Sequence, residues 1–332
     1  MPAAARKVVA LALAAAVCGA ICGAASAQGK VLRYGQALSA HKSIYSLPVA
    51  LAEREGLFKR AGLDFRLVIP IPGGSDRMIA ALHDDTVDVT HVATPFLVRA
   101  ALAGSDAVAI AAEFNDPIYT LVARPEITRV ADLKGKVVGL ADPAGSITYS
   151  MRKLLALHGL SERDIRVKTV EGTPARLACL RRGECAAVPL GQPQDLLAQS
   201  EGYRALGASN DAVPAFLYTV TAARRSWAAA NQEAVVRYVR ALSASLTMIG
   251  DPARRSAVAT VIVELTSVPP AVAERALDLY AGKNVLPRRG EIDLKGLAQV
   301  ISFMGESGQL KAPLPAAEQF VDLQYLQLAG IR

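Results

Sequence analysis

The sequence contains few of the residues and motifs that mark enzymes and metal sites. Four cysteines and four histidines occur among 332 residues, and the histidines show no metal-ligand spacing. The chain has no G-x-S-x-G, no H-E-x-x-H and no G-x-x-x-x-G-K-[ST] motif. We therefore expect no catalytic residue, no metal site and no cofactor.

Long apolar runs are also scarce, and the one near the N-terminus has the form of a secretory signal. Arg6 and Lys7 precede an apolar run over 8–21, and the small residues 25–27 follow it. Beyond this point no apolar stretch reaches the ~20 residues that a membrane helix needs. We therefore expect an exported chain that is cleaved after Ala27 and has no membrane span, with 1–27 as the signal peptide.

The cysteines leave two questions open. Cys179 and Cys185 are the only ones beyond the predicted cleavage site, and in an oxidising compartment they could close a small disulfide loop. The alternative is two free, buried thiols, because helix-to-strand geometry can hold Cα atoms beyond bonding range. Cys18 and Cys22 lie in the signal segment and make a lipoprotein the rival interpretation, although neither follows the small residue that lipid attachment needs.

The charge of the chain excludes one class of partner. The formal net charge is +7, and removing Arg6 and Lys7 with the signal leaves +5 on the remainder. Basic pairs such as Arg181-Arg182 and Arg288-Arg289 are scattered and have no aromatic residues between them. We therefore expect no nucleic-acid partner, whereas a small anionic ligand is compatible with this charge.

Periodicity predicts an α/β fold. Strand-like segments alternate with helical segments of about ten residues, which is typical of mainly parallel sheets flanked by helices. From residue 226 onward the pattern is helical. Crossings near 117–125 and 213–220 divide the chain into two sets of such units. We expect a first lobe from 28–119 and 215–332, and a second lobe from 120–214.

Three stretches carry a resemblance to a known family. They are SIYSLPVALAEREGLFKRAGLDFRLV at 43–68, ADLKGKVVGLADPAGS at 131–146, and the ending, with Gly290–Asp293 and later Phe320–Asp322. Together they resemble the aliphatic-sulfonate, nitrate and thiamine-precursor branch of the periplasmic substrate-binding proteins. The resemblance implies a type II periplasmic-binding-protein fold, with two lobes that close about two hinge crossings, and a monomer in the periplasm.

Four strand-to-helix junctions share a design that suits ligand binding. In each, a hydroxyl residue occupies the expected N-cap, and a helix N-terminus offers free N–H groups and about half a positive charge. Ligands of open parallel sheets bind where such turns gather. The alternative is that each hydroxyl only caps its helix. The candidates at these junctions are Gly74, Ser75, Thr94, Gly145, Ser146 and Thr173.

Other positions are weighed as ligand contacts. Arg77, Arg152 and Arg176 could neutralise an anion, yet we expect them to be solvated surface charges. The remaining candidates could equally be core or structural residues. They are Ser43 and Tyr45, where the resemblance implies first-lobe contacts, Phe96 and Phe216 as apolar walls, and Asn115 and Gln192 as hydrogen-bonding groups.

The expected function follows from the resemblance. It implies capture of a small solute, such as a sulfonate, a carboxylate or a pyrimidine, and delivery to an ABC permease in the inner membrane. The candidate aromatic residues favour an organic, anionic or aromatic solute. One alternative is an enzyme like the pyrimidine-precursor synthases, which share the fold but carry a cysteine-rich run that this chain lacks. Another is an orphan ligand-sensing or partner-binding receptor.

Overall fold

The computed structural model describes residues 30–41, 43–71, 74–213, 216–282 and 285–331. The predicted signal peptide at 1–27, its cleavage site after Ala27, and Cys18 and Cys22 lie outside the described residues. No single helix in the described ranges is long and apolar enough to cross a membrane; the helices of 252–266 and 270–280 meet the length and composition criteria only as a pair bent by 114°.

In the described residues, ten strands form two separate five-stranded sheets. The first sheet has the order β2-β1-β3-β10-β4, and the second has the order β7-β6-β8-β5-β9. The strands are β1 (Lys30–Ala37), β2 (Leu63–Ile71), β3 (Val89–Ala93), β4 (Ala107–Phe114), β5 (Tyr119–Ala123), β6 (Val137–Leu140), β7 (Arg166–Thr169), β8 (Ala187–Gly191), β9 (Arg204–Ala208) and β10 (Thr219–Arg224).

Each sheet contains one reversed strand. In the first sheet β1 pairs in parallel with β2 and β3, whereas β10 is antiparallel to β3 and β4. In the second sheet β6 pairs in parallel with β7 and β8, whereas β5 is antiparallel to β8 and β9. Four of the five strands in each sheet therefore share a direction. The prediction of mainly parallel sheets is confirmed, and the reversed strand makes each sheet mixed.

Helices cover the sheets and form the C-terminal part. Short 3₁₀ turns lie at Ile44–Ser46, Val130–Leu133, Glu162–Asp164, Pro252–Arg254 and Ala317–Phe320. The helices are α1 (Leu38–His41), α2 (Leu47–Arg54), α3 (Leu57–Arg60), α4 (Ser75–His83), α5 (Thr94–Leu102), α6 (Ser146–Leu157), α7 (Thr173–Arg181), α8 (Gln194–Ser200), α9 (Ser209–Ala212), α10 (Arg225–Ala230), α11 (Gln232–Ile249), α12 (Arg255–Thr266), α13 (Pro270–Gly282), α14 (Leu294–Glu306) and α15 (Gln324–Leu328).

The chain passes from one sheet to the other twice. The first connection leads from β4 to β5, and the second leads from α9 to β10. The two connections touch, because the backbone N–H of Phe216 in the second donates to Oδ1 of Asp116 in the first at 3.2 Å. The first sheet is thus built from strands that precede and follow, along the sequence, the strands of the second sheet. The lobe boundaries at 119/120 and 214/215 stay a prediction.

Helix α11 shows why the apolar spacing of the C-terminal part produces a core. Val235, Val239, Leu242 and Leu246 recur at helical spacing and are all buried. The same face presents Tyr238, whose ring stacks on aromatic residues of α3 and β1. The helix therefore covers one face of the first sheet along its length.

Cys179 and Cys185 form a disulfide. Cys179 lies in the last turn of α7, and Cys185 lies just before β8. Their Cα atoms are 5.4 Å apart, which is within the range that a disulfide spans. Of the two alternatives that the sequence left open, the structure contains the bridge.

Candidate ligand-binding cleft

A cavity of about 150 Å³ lies where strands of both sheets end. Ala37 and Ala93 are the last residues of β1 and β3 in the first sheet. Ala141 follows β6 and Gly191 ends β8 in the second. All four line the cavity, so it occupies the carboxyl ends of parallel strands from both sheets. This is the position that the topology of open α/β sheets favours for a ligand.

Three of the helices that begin at this cavity are α4, α6 and α7, and their caps differ from the prediction. The N-caps are Gly74, Gly145 and the residue before Thr173, and none makes a side-chain capping bond. The hydroxyl residues Ser75, Ser146 and Thr173 are instead the first helical residues, and so is Thr94, whose helix has Ala93 as its N-cap. The prediction that these hydroxyls are N-caps is therefore wrong by one position. The free backbone N–H groups of the first turns of α4, α6 and α7 still lie beside the cavity.

The three hydroxyl groups have different surroundings. Ser75 Oγ accepts from the backbone N–H of Ala93 at 2.9 Å, which ties α4 to β3. Thr173 Oγ1 accepts from the Arg176 guanidinium at 3.2 Å and from the Gly191 N–H at 3.3 Å. Ser146 is 2% exposed, and its Oγ has no hydrogen-bond partner among the described residues. A buried hydroxyl without a partner at a cavity wall is a group that a ligand can satisfy.

Arg176 lines the cavity from α7, and the prediction that it is a solvated surface charge is wrong. Its side chain is 1% exposed. Its Nε donates to the Pro189 carbonyl at 2.6 Å and its Nη1 to the Val170 carbonyl at 3.1 Å. No carboxylate of the described residues forms an ion pair with it. Because carbonyl dipoles compensate a buried charge only in part, the guanidinium favours an anion in the cavity.

Three tyrosines form the aromatic wall of the cavity. The rings of Tyr45 and Tyr119 stack with centroids 6.0 Å apart, and Tyr218 meets Tyr45 edge-on at 5.4 Å. Burial raises the pKa of Tyr45 and of Tyr218 well above 10, so both phenols are neutral at physiological pH. The guanidinium carbon of Arg176 lies over the Tyr119 ring, 5.6 Å from its centroid. The wall offers apolar ring faces, and the hydroxyl groups of Tyr45 and Tyr218 are neutral.

Acidic groups occur on the side of the second sheet. Asp142 and Glu171 both line the cavity. The Asp142 carboxylate accepts from the Ala144 N–H at 2.7 Å and so shapes the turn before α6. Desolvation raises the pKa of Glu171 above its ordinary value. The charge of Arg176 opposes this rise, so the Glu171 carboxyl group lies within electrostatic reach of the guanidinium. Two carboxyl groups on the cavity wall disfavour a ligand with several negative charges.

A family model described as NMT1/THI5 like matches residues 43–254, well over half of the chain. The chain belongs to the NMT1/THI5-like family. A comparison with curated proteins found no match. The matched segment of this NMT1/THI5-like chain includes nearly all of the cavity wall, from Ser43 to Thr219.

Solved structures of three proteins show which fold this NMT1/THI5-like chain has. The alkanesulfonate-binding protein SsuA from Xanthomonas axonopodis pv. citri, bound to MOPS, is 20% identical with a TM-score of 0.69, covering 87% of this chain and 97% of that one. The periplasmic aliphatic sulphonate binding protein SsuA from Escherichia coli is 19% identical with a TM-score of 0.67, covering 88% and 92%. The desulfurization enzyme DSZB is 15% identical with a TM-score of 0.63, covering 90% and 98%. These likenesses confirm the periplasmic-binding-protein fold.

Most of the predicted site residues of this NMT1/THI5-like chain meet at the cavity, and three do not line it. Thr94 Oγ1 donates to the Tyr218 carbonyl at 3.1 Å behind the wall. Phe216 is 1% exposed and packs near Phe303 at 6.2 Å. Asn115 donates its N–H to the Val285 carbonyl at 2.7 Å. The predicted residues that line the cavity are Ser43, Tyr45, Gly74, Ser75, Phe96, Gly145, Ser146, Thr173 and Gln192.

Sequence reasoning missed several side chains of the cavity wall, including those of Tyr119, Tyr218 and His91. Tyr119 starts β5 and Tyr218 precedes β10, and each is followed by a threonine. This repeated Tyr-Thr pair at the two crossings is the signal that could have found them. His91 lies two positions before the end of β3, and it was set aside because no metal-ligand spacing surrounds it. A polar residue near the carboxyl end of a buried strand is the signal for it.

Proposed function

We propose that the protein is the solute-binding component of an ABC importer and captures a small organic anion, a carboxylate or sulfonate, in this cleft. It is exported to the periplasm, acts as a monomer and delivers its solute to a permease in the inner membrane. One observation carries the proposal. The buried guanidinium of Arg176, which no described carboxylate pairs, meets three helix N-termini at a tyrosine-lined cavity between the two sheets.

Charge and size define the solute. Helix N-termini and a desolvated guanidinium favour a negative group, whereas the Asp142 and Glu171 carboxyl groups favour a single one. The tyrosine wall favours an organic body over a small inorganic ion. A cavity of about 150 Å³ is comparable to an engineered cavity that holds benzene. The solute is therefore about the size of one substituted six-membered ring, or an aliphatic acid of similar volume.

Closure about the two connections accounts for capture. Beside the second connection, α6 of the second sheet meets α14, where the Tyr149 ring lies 3.9 Å from the Phe303 ring. Lys153 Nζ is also 2.6 Å from Glu306 Oε2. The ion pair is exposed and contributes little by itself. A solute held by residues of both sheets favours the closed arrangement, and its binding free energy drives the closure.

Thermal unfolding of residues 28–332 tests the solute class. The probes are benzoate, benzenesulfonate, ethanesulfonate, nitrate and uracil, and the protein is first unfolded, dialysed and refolded to remove any bound solute. A ligand at ~100 times its Kd adds about 2.7 kcal/mol of stability, which raises Tm by several degrees. We expect a rise with at least one of the organic anions and none with uracil. No rise with any organic anion contradicts the proposed class.

Ser146 offers a sharper test of the site. Ser146→Leu fills the cavity at the α6 N-terminus and removes no described side-chain hydrogen bond, so we expect the ligand-dependent rise in Tm to disappear while the protein stays folded. Thr148→Val is the matched control, because Thr148 is buried on the same helix, does not line the cavity and also lacks a side-chain partner among the described residues. Unchanged affinity in Ser146→Leu places the site elsewhere.

The likeness to DSZB makes an enzyme the second candidate. In the described part of the chain both cysteines are joined to each other, so neither offers a thiol at the cavity. We expect each probe that binds to be recovered unchanged after prolonged incubation, as measured by mass spectrometry. Conversion of any bound probe to a product favours the enzyme.

A further inference from the structure

A buried histidine–glutamate pair stands behind the cavity on the side of the first sheet. His91 of β3 lines the cavity, and its Nδ1 lies 2.9 Å from Oε2 of Glu113 in β4. The Glu113 side chain is completely buried and the His91 side chain is 7% exposed. Because Nδ1 faces Glu113, the opposite edge of the ring, with Nε2, is the edge available to the cavity. The function proposed above gives this pair no role.

The surroundings of Glu113 make its burial costly unless it has a counter-charge. Thr221 Oγ1 donates to Oε1 at 2.7 Å, and the Tyr34 hydroxyl lies 3.4 Å from both carboxylate oxygens. No lysine or arginine of the described ranges forms an ion pair with it, so His91 is its partner. A well-packed apolar residue at this place is often as stabilising as a buried ion pair. Fold stability alone therefore gives little reason for a carboxylate here.

We propose that His91, positioned by Glu113, selects a negatively charged solute from the side of the first sheet and does so in its protonated form. The carboxylate accepts from Nδ1–H, fixes the ring and compensates its charge, and Nε2–H then donates to the solute's anionic group. This inference rests on the proposed function, and it adds a second anion-binding group opposite Arg176. His91 contacts the solute, whereas Glu113 is a positioning residue.

The sign of the pH dependence follows from the charge on the ring. A protonated imidazole carries a positive charge and a neutral one does not, so the proposal predicts that anion affinity rises as the pH is lowered. The other titratable and charged groups around the pair and across the cavity are Tyr34, Tyr45, Tyr119, Tyr218, Tyr238, Asp142, Glu171 and Arg176. Burial raises the pKa of Tyr34, Tyr45, Tyr218 and Tyr238 well above 10, so those four phenols stay neutral between pH 6 and 8.

Calorimetric titration of refolded residues 28–332 with benzenesulfonate and ethanesulfonate tests the inference. Both probes stay ionised between pH 6 and 8, so any proton exchanged on binding belongs to the protein. A hydrogen bond to a charged group corresponds to roughly 10- to 100-fold in affinity, and we expect binding at pH 6 to be at least tenfold tighter than at pH 8. Titrations at pH 7 in buffers of different ionisation enthalpy should show proton uptake on binding.

Three variants separate the roles. His91→Gln should weaken binding about tenfold at pH 6, abolish proton uptake and flatten the pH profile. Glu113→Gln should also flatten the pH profile of binding, because the protonated ring loses the carboxylate that compensates its charge. His83→Gln is the matched control, since His83 is exposed, bonds Ser105 at 2.8 Å and does not line the cavity; it should behave as the unmodified protein.

Each outcome decides between the two proposals. Binding with the same pH profile and proton uptake in His91→Gln overturns the role of His91 and leaves the proposed function standing. If the unmodified protein binds none of benzenesulfonate, ethanesulfonate and benzoate at pH 6, both the proposed solute class and this inference are overturned. Proton uptake is measured on the unmodified protein, so its absence refutes the inference even if His91→Gln does not fold.

Discussion

Replacing Asp116 by asparagine is expected to stabilise the protein at neutral pH and to change little in acid. Asp116 lies in the first connection between the sheets and is 9% exposed. Its Oδ1 accepts from the Phe216 N–H, and no described basic residue forms an ion pair with it. Desolvation raises the pKa of Asp116 from its ordinary value of 3.8 to about 6, and the bond from Phe216 opposes this rise only in part.

The magnitude follows from linkage. Between pH 4 and 6 the folded protein holds a proton on Asp116 that the unfolded chain has released, so the free energy of unfolding falls as the pH rises. At about 1.4 kcal/mol for each unit of pKa difference, the loss is about 3 kcal/mol once the pH exceeds 6. Asparagine carries no charge, and its Oδ1 can still accept from Phe216. We therefore expect Asp116→Asn to be more stable by up to ~3 kcal/mol at pH 8.

Urea unfolding followed by circular dichroism at intervals from pH 4 to pH 8 measures this difference. Asp132→Asn is the control with the opposite sign, because hydrogen bonds from Arg129 and Thr128 hold the pKa of Asp132 at about 2. The stabilising effect of the Asp132 carboxylate is fully present above the ordinary pKa of 3.8 and is lost only as the pH falls towards 2. Asp132→Asn should therefore be less stable than the unmodified protein by a constant amount between pH 4 and pH 8. A pH-independent effect of Asp116→Asn, or a loss of stability at pH 8, refutes the reasoning.

Further substitutions test the disulfide and the packing of α14 against the second connection. The double variant Cys179→Ser, Cys185→Ser should lose about 2 kcal/mol in the free energy of unfolding, because the disulfide closes a loop over a sequence separation of six residues. Urea titration measures the loss, and equal stability of the variant and the oxidised protein contradicts the prediction. Gly296→Ala should lower the free energy of unfolding by about 1–3 kcal/mol, because the added Cβ would lie 3.0 Å from the Phe216 backbone. Gly250→Ala should be nearly neutral, because the nearest atom to its added Cβ is 3.7 Å away. Similar melting temperatures for the two variants would disprove the clash.

Sequence alone could predict the helix N-termini of the cleft because topology places them. Ser75, Ser146 and Thr173 each follow a strand, and the carboxyl ends of parallel strands meet at one edge whatever the side chains are. The prediction missed the local detail that a glycine is the N-cap before Ser75 and Ser146. Glycine and serine are both favoured caps, so their order along the chain does not decide between them.

The remaining wall depends on contacts between segments far apart in the chain. Arg176 donates to the carbonyl groups of Val170, which follows β7, and of Pro189, which lies within β8, and no spacing of residues reveals these contacts. His91 faces the cavity because Glu113 in another strand holds its ring. Phe216 was predicted as a cleft wall, yet it packs near Phe303, since the second connection turns it towards α14. Side-chain direction at such places is set by tertiary neighbours.

The reversed strand β10 has a consequence for the order in which the protein can be built. Strands β5 to β9 of the second sheet are contiguous in sequence, so this sheet can form as soon as residues 119–208 are available. The first sheet cannot, because β4 joins it only through β10 at Thr219–Arg224. A ribosome that has made β1 to β4 must still deliver more than a hundred residues before that sheet closes. The earliest part of the chain is therefore the last to become a finished sheet.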